Sequence, residues 1–215
     1  IVGAIMGTIT GLLVAYLNFQ GFVASLAMMT IARGIAYTIT NATPINLSKA
    51  TLHVLSSGQY SYPIIWITLL LIIVFTVICN FTSYGRIVIA TGSNSEAVRL
   101  SGIREKRYIL SVYIISAILA SCAGIFLAAR SGVGNSTVAE GQELDAIAAC
   151  VIGGASLAGG SGSVPRTVIG AFILALIGNI MNLLSIPAYP QKIIKGIIIV
   201  FAVMMQVFTD KRKEK

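Results

Sequence analysis

The chain has 215 residues, of which 56% are hydrophobic and only 10% are charged. Soluble domains carry about 25% charged residues, so this chain has too few polar groups to cover a globular surface in water. Composition therefore excludes a soluble domain and indicates an integral membrane protein. Most of the basic residues behind the net charge of +8 lie in two short segments. That clustering is typical of membrane topology signals and gives no reason to expect a nucleic-acid partner.

Apolar runs recur along the whole chain, which is long enough for about six or seven spans of roughly 20 residues each. The runs lie at about 1–17, 22–40, 63–81, 108–128, 146–158, 166–186 and 193–208. We therefore predict an all-α polytopic membrane protein with about six or seven membrane segments. The first run opens in mid-segment without a basic leader, so we expect the chain to be N-terminally truncated.

Small residues dominate the segment 144–163. Its glycines would interrupt a helix, and such breaks survive at membrane depth only where protein or a water-filled path satisfies the freed backbone groups. We predict one or two half-helices, forming a broken or re-entrant element beside a pathway. No Lys-Ser/Thr pair follows Gly162, which excludes a P-loop. Close helix packing is favoured over ligand contact here. Glu143 and Asp145 are expected to cap the half-helix, with substrate binding the less favoured role.

The distribution of Lys and Arg predicts the orientation. With alternating spans, ten basic residues fall on the side that holds the 82–107 connection and the C-terminus. Only Lys49, Arg130 and Lys192 fall on the opposite side. The connection and the C-terminus are therefore predicted to be cytoplasmic.

The 82–107 connection contains a capping box, Ser93-x-x-Glu96, and Gly102 is a natural helix terminator. Together they predict a short amphipathic helix over about 94–101. Such a helix suits docking into a groove of another protein, or it is a connector lying on the membrane surface. The candidate docking residues are Asn94, Glu96, Ala97, Arg99, Leu100, Ser101 and Gly102.

A few polar side chains interrupt the apolar runs. Arg33 lies well inside its run, and an intramembrane charge is costly unless it is paired or hydrated. It either lines a pathway or serves an internal hydrogen-bonding role. Lys195 lies nearer a membrane surface and is expected to snorkel outward. Asn179 and Asn182 are further candidates for a path or a helix contact.

Catalytic and metal-binding patterns are missing from the sequence. His53 is the only histidine, and the three cysteines lie in apolar runs without a nearby Cys or His partner. We therefore predict a non-catalytic protein that binds no cofactor or metal of its own.

Several motifs resemble the ribose/xylose/galactose-type permease subunits of bacterial ABC importers, within the wider branched-chain amino acid and sugar permease superfamily. The resemblance covers nearly the whole chain in order and is densest over 86–200. It rests on Phe22-Val-Ala-Ser-Leu26, Arg33-Gly34, Arg86-x5-Gly92-x-Asn94-x-Glu96-Ala-x-Arg-Leu-Ser-Gly-Ile103, Glu143-Leu-Asp-Ala-Ile-Ala-Ala149, Gly153-Gly-Ala-Ser-Leu-Ala-Gly-Gly160, Asn179-x-x-Asn182 and Gln191-x3-Lys195-Gly-Ile.

The resemblance implies that residues 1–215 form a single transmembrane permease domain in the bacterial inner membrane. It implies three kinds of protein partner besides lipid: cytoplasmic ABC ATPase subunits that use the ATP, a second permease subunit (the same or a different chain), and an extracytoplasmic sugar-binding protein. It also implies that the helix over 94–101 is the coupling helix that contacts the ATPase.

The function that follows is the pore-forming subunit of an ATP-driven monosaccharide importer. An importer for branched-chain amino acids or another small polar solute is one alternative. An ion-coupled secondary transporter is another, but acidic residues are absent from the clean spans, which argues against proton coupling. A membrane-embedded enzyme is the weakest alternative, because no catalytic set is present.

Overall fold

The computed structural model describes residues 1–46 and 62–213, so His53, Lys49 and Lys215 lie outside the described residues. Within these ranges the protein is almost entirely helical. The helices are α1 (Val2–Leu17), α2 (Gly21–Thr40), α3 (Tyr62–Phe81), α4 (Ser83–Ser93), α5 (Ser95–Leu100), α6 (Glu105–Ser131), α7 (Gln142–Ile152), α8 (Val164–Leu183) and α9 (Ala188–Lys213). Two short strands, β1 (Ile45–Asn46) and β2 (Val133–Gly134), pair antiparallel, with Ile45 opposite Gly134.

Four of the described helices are long and apolar enough to cross a membrane: α2, α3 from Ile64 onward, α6 and α8. The apolar helix α1 has 16 residues and is shorter than these. The polytopic helical architecture is therefore confirmed. Membrane crossing by the predicted segments at α1, α7 and α9 stays a prediction, as does the N-terminal truncation.

Helix boundaries follow local sequence signals. Asn18 and Asn41 end α1 and α2 in the left-handed conformation, and Gly132 ends α6 in the same way. These are the residue types that adopt positive φ at lowest cost. Pro165 lies in the first turn of α8, where its missing N–H leaves no hydrogen bond unmade.

The 82–107 connection holds a helix, α4, that sequence reasoning missed. Thr82 caps it: the Thr82 hydroxyl accepts a hydrogen bond from the Gly85 amide at 3.3 Å. A Cβ added at Gly85 would lie 2.5 Å from the Cα of Cys79. The missing side chain at Gly85 thus allows α4 to begin immediately after α3.

The chain forms two compact units. The first comprises Ile1–Leu71 and Glu96–Val138, and in it α1 packs along α6. Gly3, Gly7 and Gly11 recur every fourth residue, so they share one face of α1. A Cβ added at Gly7 would lie 2.7 Å from the Cβ of Ala117. Glycine therefore sets how closely these two helices approach.

The second unit comprises Ile72–Ser95 and Ala139–Lys215, and in it α7 packs against α8 and α9. Ala148, Ala149 and Leu174 form its buried core. A Cβ added at Gly170 would lie 3.1 Å from the carbonyl carbon of Ala149, so α8 also approaches α7 through a glycine. The interpretation of residues 1–215 as one permease domain stays a prediction.

Gly7→Ala is expected to lower the stability of the protein by about 1–3 kcal/mol, the usual cost of overpacking. The added methyl group meets Ala117 and also the carbonyl oxygen of Tyr113, which would lie 2.8 Å from the new Cβ. The measurement is the thermal unfolding midpoint of the purified protein in detergent.

Gly124→Ala in α6 is the matched control, because nothing lies within 4 Å of a Cβ added there. Alanine is the better helix former by about 1 kcal/mol, so this variant should be unchanged or more stable. Equal midpoints for the two variants would contradict glycine-controlled packing of α1 on α6.

Candidate functional site

The predicted docking helix is present as α5, six residues from Ser95 to Leu100, against the predicted 94–101. The predicted capping box is wrong. Ser93 is the last residue of α4, and its hydroxyl is 3.2 Å from the carbonyl oxygen of Ile89. Asn94, in an extended conformation with φ −156° and ψ 93°, separates the two helices. The local pattern at Ser93 is typical of a helix start, but the preceding helix α4 occupies this residue and ends there.

The end of α5 is as predicted. Gly102 has φ +78°, and its amide donates to the carbonyl oxygen of Arg99 at 3.0 Å. The Ile103 amide lies 3.4 Å from the carbonyl oxygen of Val98. This pair of bonds is the Schellman motif, in which glycine supplies the left-handed residue. The motif gives α5 a defined end before the basic segment that opens α6.

Most side chains of the docking segment are exposed. Val98 is only 7% exposed and is the buried residue of α5, whereas Leu100 is 79% exposed. Glu96 and Arg99 form an ion pair one helical turn apart on the exposed surface. Asn94, Ala97 and Ser101 are exposed as well. The segment therefore presents one large apolar side chain and a charge pair on a short helix anchored by Val98.

A second polar contact joins two elements of the second unit. The Lys195 Nζ on α9 lies 2.6 Å from the Asp145 Oδ2 in the first turn of α7. Each side chain is about one-third exposed, at 32% and 33%. The structure thus gives the Lys195 ammonium group a carboxylate partner within hydrogen-bond distance, and outward snorkelling of Lys195 stays a prediction.

Glu143 makes a contact of the kind expected of a capping residue. Its Oε2 accepts a hydrogen bond from the amide of Gly141, the N-cap residue of α7, at 3.1 Å. Asp145 lies in the same first turn, where a carboxylate is favourable, but its hydrogen bond is to Lys195. Two carboxylates that look equivalent in sequence thus have different partners.

The interrupted helix predicted over 144–163 is observed. The helix α7 has 11 residues, about 16 Å at the rise of an α-helix, which is roughly half of a bilayer core. Beyond it the chain turns through Gly154, Gly159 and Gly160, all with positive φ. The half-helix is therefore followed by a glycine turn, and α8 begins at Val164.

The remaining polar candidates do not meet at one place. Asn182 lies near the end of α8, and its Oδ1 accepts a hydrogen bond from the Gln191 Nε2 at 2.9 Å. This bond ties the end of α8 to the first turns of α9. Asn179 is exposed one turn earlier. Arg33 is half-buried in α2 and forms no ion pair with any described carboxylate.

A cleft of about 370 Å³ lies between α1, α2 and α6. Its polar lining includes Thr10, Ser25 and Ser121, whose hydroxyls donate to the carbonyl oxygens of Met6, Gly21 and Ala117 one turn away. These donors are therefore already used within their own helices. No group of three or more metal-ligating residues occurs in the described part of the chain.

Sequence reasoning missed the Asp145–Lys195 pair. It also missed the contact between Ser93, at the end of α4, and Gly160 in the glycine turn. The pair is visible in sequence only as an acidic residue and a lysine in two apolar runs, separated by 50 residues. From sequence alone, Asp145 is explained as a helix-capping residue and Lys195 as a residue near a membrane surface. Only the packing of α7 on α9 brings the two charges together.

A family model described as the permease component of branched-chain amino acid transport systems matches residues 1–203. The chain belongs to this permease family. Together with the four apolar helices, membership makes it a multi-pass membrane protein and a transport subunit. No solved structure gives a significant match to the chain.

Several relatives of this permease have names that state their cargo. It is 38% identical to the ribose import permease protein of Escherichia coli (strain K12), over 99% of this chain and 67% of that protein. It is 34% identical to the L-arabinose transport system permease protein of the same strain, over 95% of this chain and 63% of the relative. It is 31% identical to the L-arabinose ABC transporter permease protein of Azospirillum brasilense, over 98% of this chain and 63% of that protein. The permease described here thus spans about two thirds of the length of these relatives.

Breaking the Asp145–Lys195 pair on one side should destabilise the permease, because the remaining charge is left unpaired beside apolar helices. Asp145→Asn and Lys195→Met are each expected to cost about 1.5–3 kcal/mol, the range for hydrogen bonds to charged groups. The measurement is the free energy of unfolding in mixed detergent micelles.

The double variant should lose less than the sum of the two single losses, since it leaves no unpaired charge. Lys192→Met, on the same helix and exposed, is the control and should leave stability unchanged. Strictly additive losses would show that the two side chains do not interact.

Proposed function

We propose that this permease is the membrane-spanning subunit of an ATP-driven importer for a monosaccharide of the ribose, xylose and galactose class. The observation that carries the proposal is the 38% identity to a ribose import permease over 99% of this chain. Similarity to two L-arabinose permeases supports the same class of cargo, because arabinose is also a monosaccharide. The chain supplies the path and the coupling surface, and hydrolysis of ATP belongs to partner subunits.

The coupling surface is assigned to Asn94 through Gly102. A coupling helix must be short, defined at both ends and accessible to a cytoplasmic partner. The helix α5 has six residues, ends in a Schellman motif at Gly102 and exposes Leu100. A single exposed leucine beside an ion pair is suited to an apolar socket with a polar rim. Closure of the ATPase subunits on ATP would displace α5 and shift the spans between outward and inward openings.

The proposed assembly contains a second permease subunit, two cytoplasmic ATPase subunits and an extracytoplasmic sugar-binding protein. The cytoplasmic position of α5 and of the C-terminus is supported by the clustering of basic residues on that side. Arg104, Lys106 and Arg107 directly follow α5, so the docking segment lies next to the most basic part of the chain. The membrane is the bacterial inner membrane.

One alternative cargo class has an observation of its own. The matching family model is described by branched-chain amino acid transport, so a small amino acid is the second candidate cargo. An ion-coupled secondary transporter is less well supported than either importer. Asp145, an acidic residue of the half-helix, is already paired with Lys195.

The deciding experiment is a detergent pull-down of the full-length permease with the products of neighbouring genes, followed by reconstitution in liposomes. Co-purification of an ATPase that is stimulated by a sugar-loaded binding protein supports the proposal, and the stimulating sugar identifies the cargo. Stimulation by a leucine-type binding protein favours the amino-acid alternative. A permease that purifies alone and moves solute down an ion gradient overturns the importer function.

Arg99→Trp is expected to reduce sugar uptake per ATP hydrolysed by about tenfold, since it breaks the Glu96–Arg99 pair and adds bulk to the docking surface. Membrane insertion should be unaffected, because Arg99 is exposed. The measurement is uptake of radiolabelled sugar and phosphate release in the same proteoliposomes.

Arg130→Trp is the matched control. Arg130 is also exposed at the end of a helix, but it lies on the predicted extracytoplasmic side. This variant should keep the wild-type ratio of uptake to hydrolysis. If both variants show the same ratio of uptake to hydrolysis, the assignment of α5 to the coupling surface is contradicted.

A further inference from the structure

In the second unit, the backbone at the end of α4 touches the glycine turn that follows α7. A Cβ added at Gly92 would lie 2.7 Å from the amide nitrogen of Gly160, and one added at Gly159 would lie 2.8 Å from the carbonyl oxygen of Gly92. The Ser93 hydroxyl lies 3.3 Å from the Gly160 carbonyl oxygen. At Gly92 and Gly159 backbone meets backbone without an intervening side chain, so at this point no rotamer change can absorb a displacement of one segment against the other.

On one side, a single residue connects this contact to α5. Only Asn94 stands between Ser93, the last residue of α4, and Ser95, the first residue of α5. The Asn94 amide donates to the carbonyl oxygen of Ala90 at 2.9 Å, which holds the link residue against α4. Consecutive Cα atoms are about 3.8 Å apart, so a one-residue link keeps the first residue of α5 within about 7.6 Å of the last residue of α4.

On the other side, the contact is tied to α7 through a hydrogen-bonded turn. The Ala155 amide donates to the carbonyl oxygen of Cys150, a residue of α7, at 2.9 Å. Within the turn, the Ser156 amide donates to Ser161 and the Gly159 amide donates to Ser156, at 3.0 and 3.1 Å. The turn is thus internally braced and joined to the half-helix.

We propose that Gly92, Gly159 and Gly160 form a glycine link that passes movement of α5 to the half-helix α7 during transport. The inference rests on the proposed function, because it requires that α5 be moved by an ATPase. Segments in backbone contact behave as closely packed bodies and transmit strain. These glycines are therefore positioning residues for coupling, in addition to their role in packing.

The test is Gly92→Ala in the complete complex, reconstituted with its ATPase and binding protein in liposomes. The added methyl group would push the end of α4 away from the turn. We expect the amount of sugar moved per ATP hydrolysed to fall about fivefold or more, the lower end of typical coupling between sites. ATP hydrolysis by the assembled complex should persist, which a loss of folding would not allow.

Gly178→Ala in α8 is the matched control, since nothing lies within 4 Å of a Cβ added there. Its ratio of uptake to hydrolysis should equal that of the wild type. A wild-type ratio in Gly92→Ala overturns the glycine link. If the wild-type complex itself shows no coupled uptake, the proposed function fails first, and the two failures are distinguishable.

A second variant decides the matter if Gly92→Ala does not assemble. Insertion of Gly-Gly between Asn94 and Ser95 adds slack to the connection and leaves the contact at Gly92 in place. An assembled insertion variant should hydrolyse ATP and move about fivefold less sugar per ATP. Full coupling in the insertion variant contradicts transmission through α4.

Discussion

Close approach of helix backbones is the constraint on which this permease depends. In hydrocarbon, apolar side chains gain little by leaving lipid for a neighbouring helix, so association relies on close packing and on polar contacts. The chain meets this requirement with glycine in both compact units. Gly7 lies against Ala117 in the first, and Gly170 lies against Ala149 in the second. The same kind of glycine contact holds α7, which is too short to cross a bilayer alone, against α8.

Polar contacts are the second means of association, and one of them is a charge pair. Asp145 and Lys195 meet at 2.6 Å and join the half-helix to α9. Glu96 and Arg99 also pair, but they are exposed on α5, where solvent screening makes the pair worth little for stability. The first pair therefore fits a structural role. The second pair contributes little to the fold and lies on the segment proposed for docking.

The helical architecture was predictable because each long helix carries its own signal, an unbroken apolar run with a stop at its end. The end of α5 at Gly102 and the capping role of Glu143 were predictable for the same local reason. The helix α4 was missed because it contains Arg86 and several small polar residues, and no apolar run marks it. Its existence depends on Gly85, which allows a second helix to start where α3 stops, and the start of α5 was misplaced as a consequence.

The sequence by itself determined that this is a helical membrane protein and, through its motifs, the permease type that it resembles. These properties are local or compositional, because hydrophobicity, capping and glycine conformations act within a few residues. Tertiary structure alone decided that Lys195 pairs with Asp145 and that Gly92 meets Gly160. Both contacts join residues 50 or more positions apart, and such pairings arise from helix packing, which no local pattern encodes.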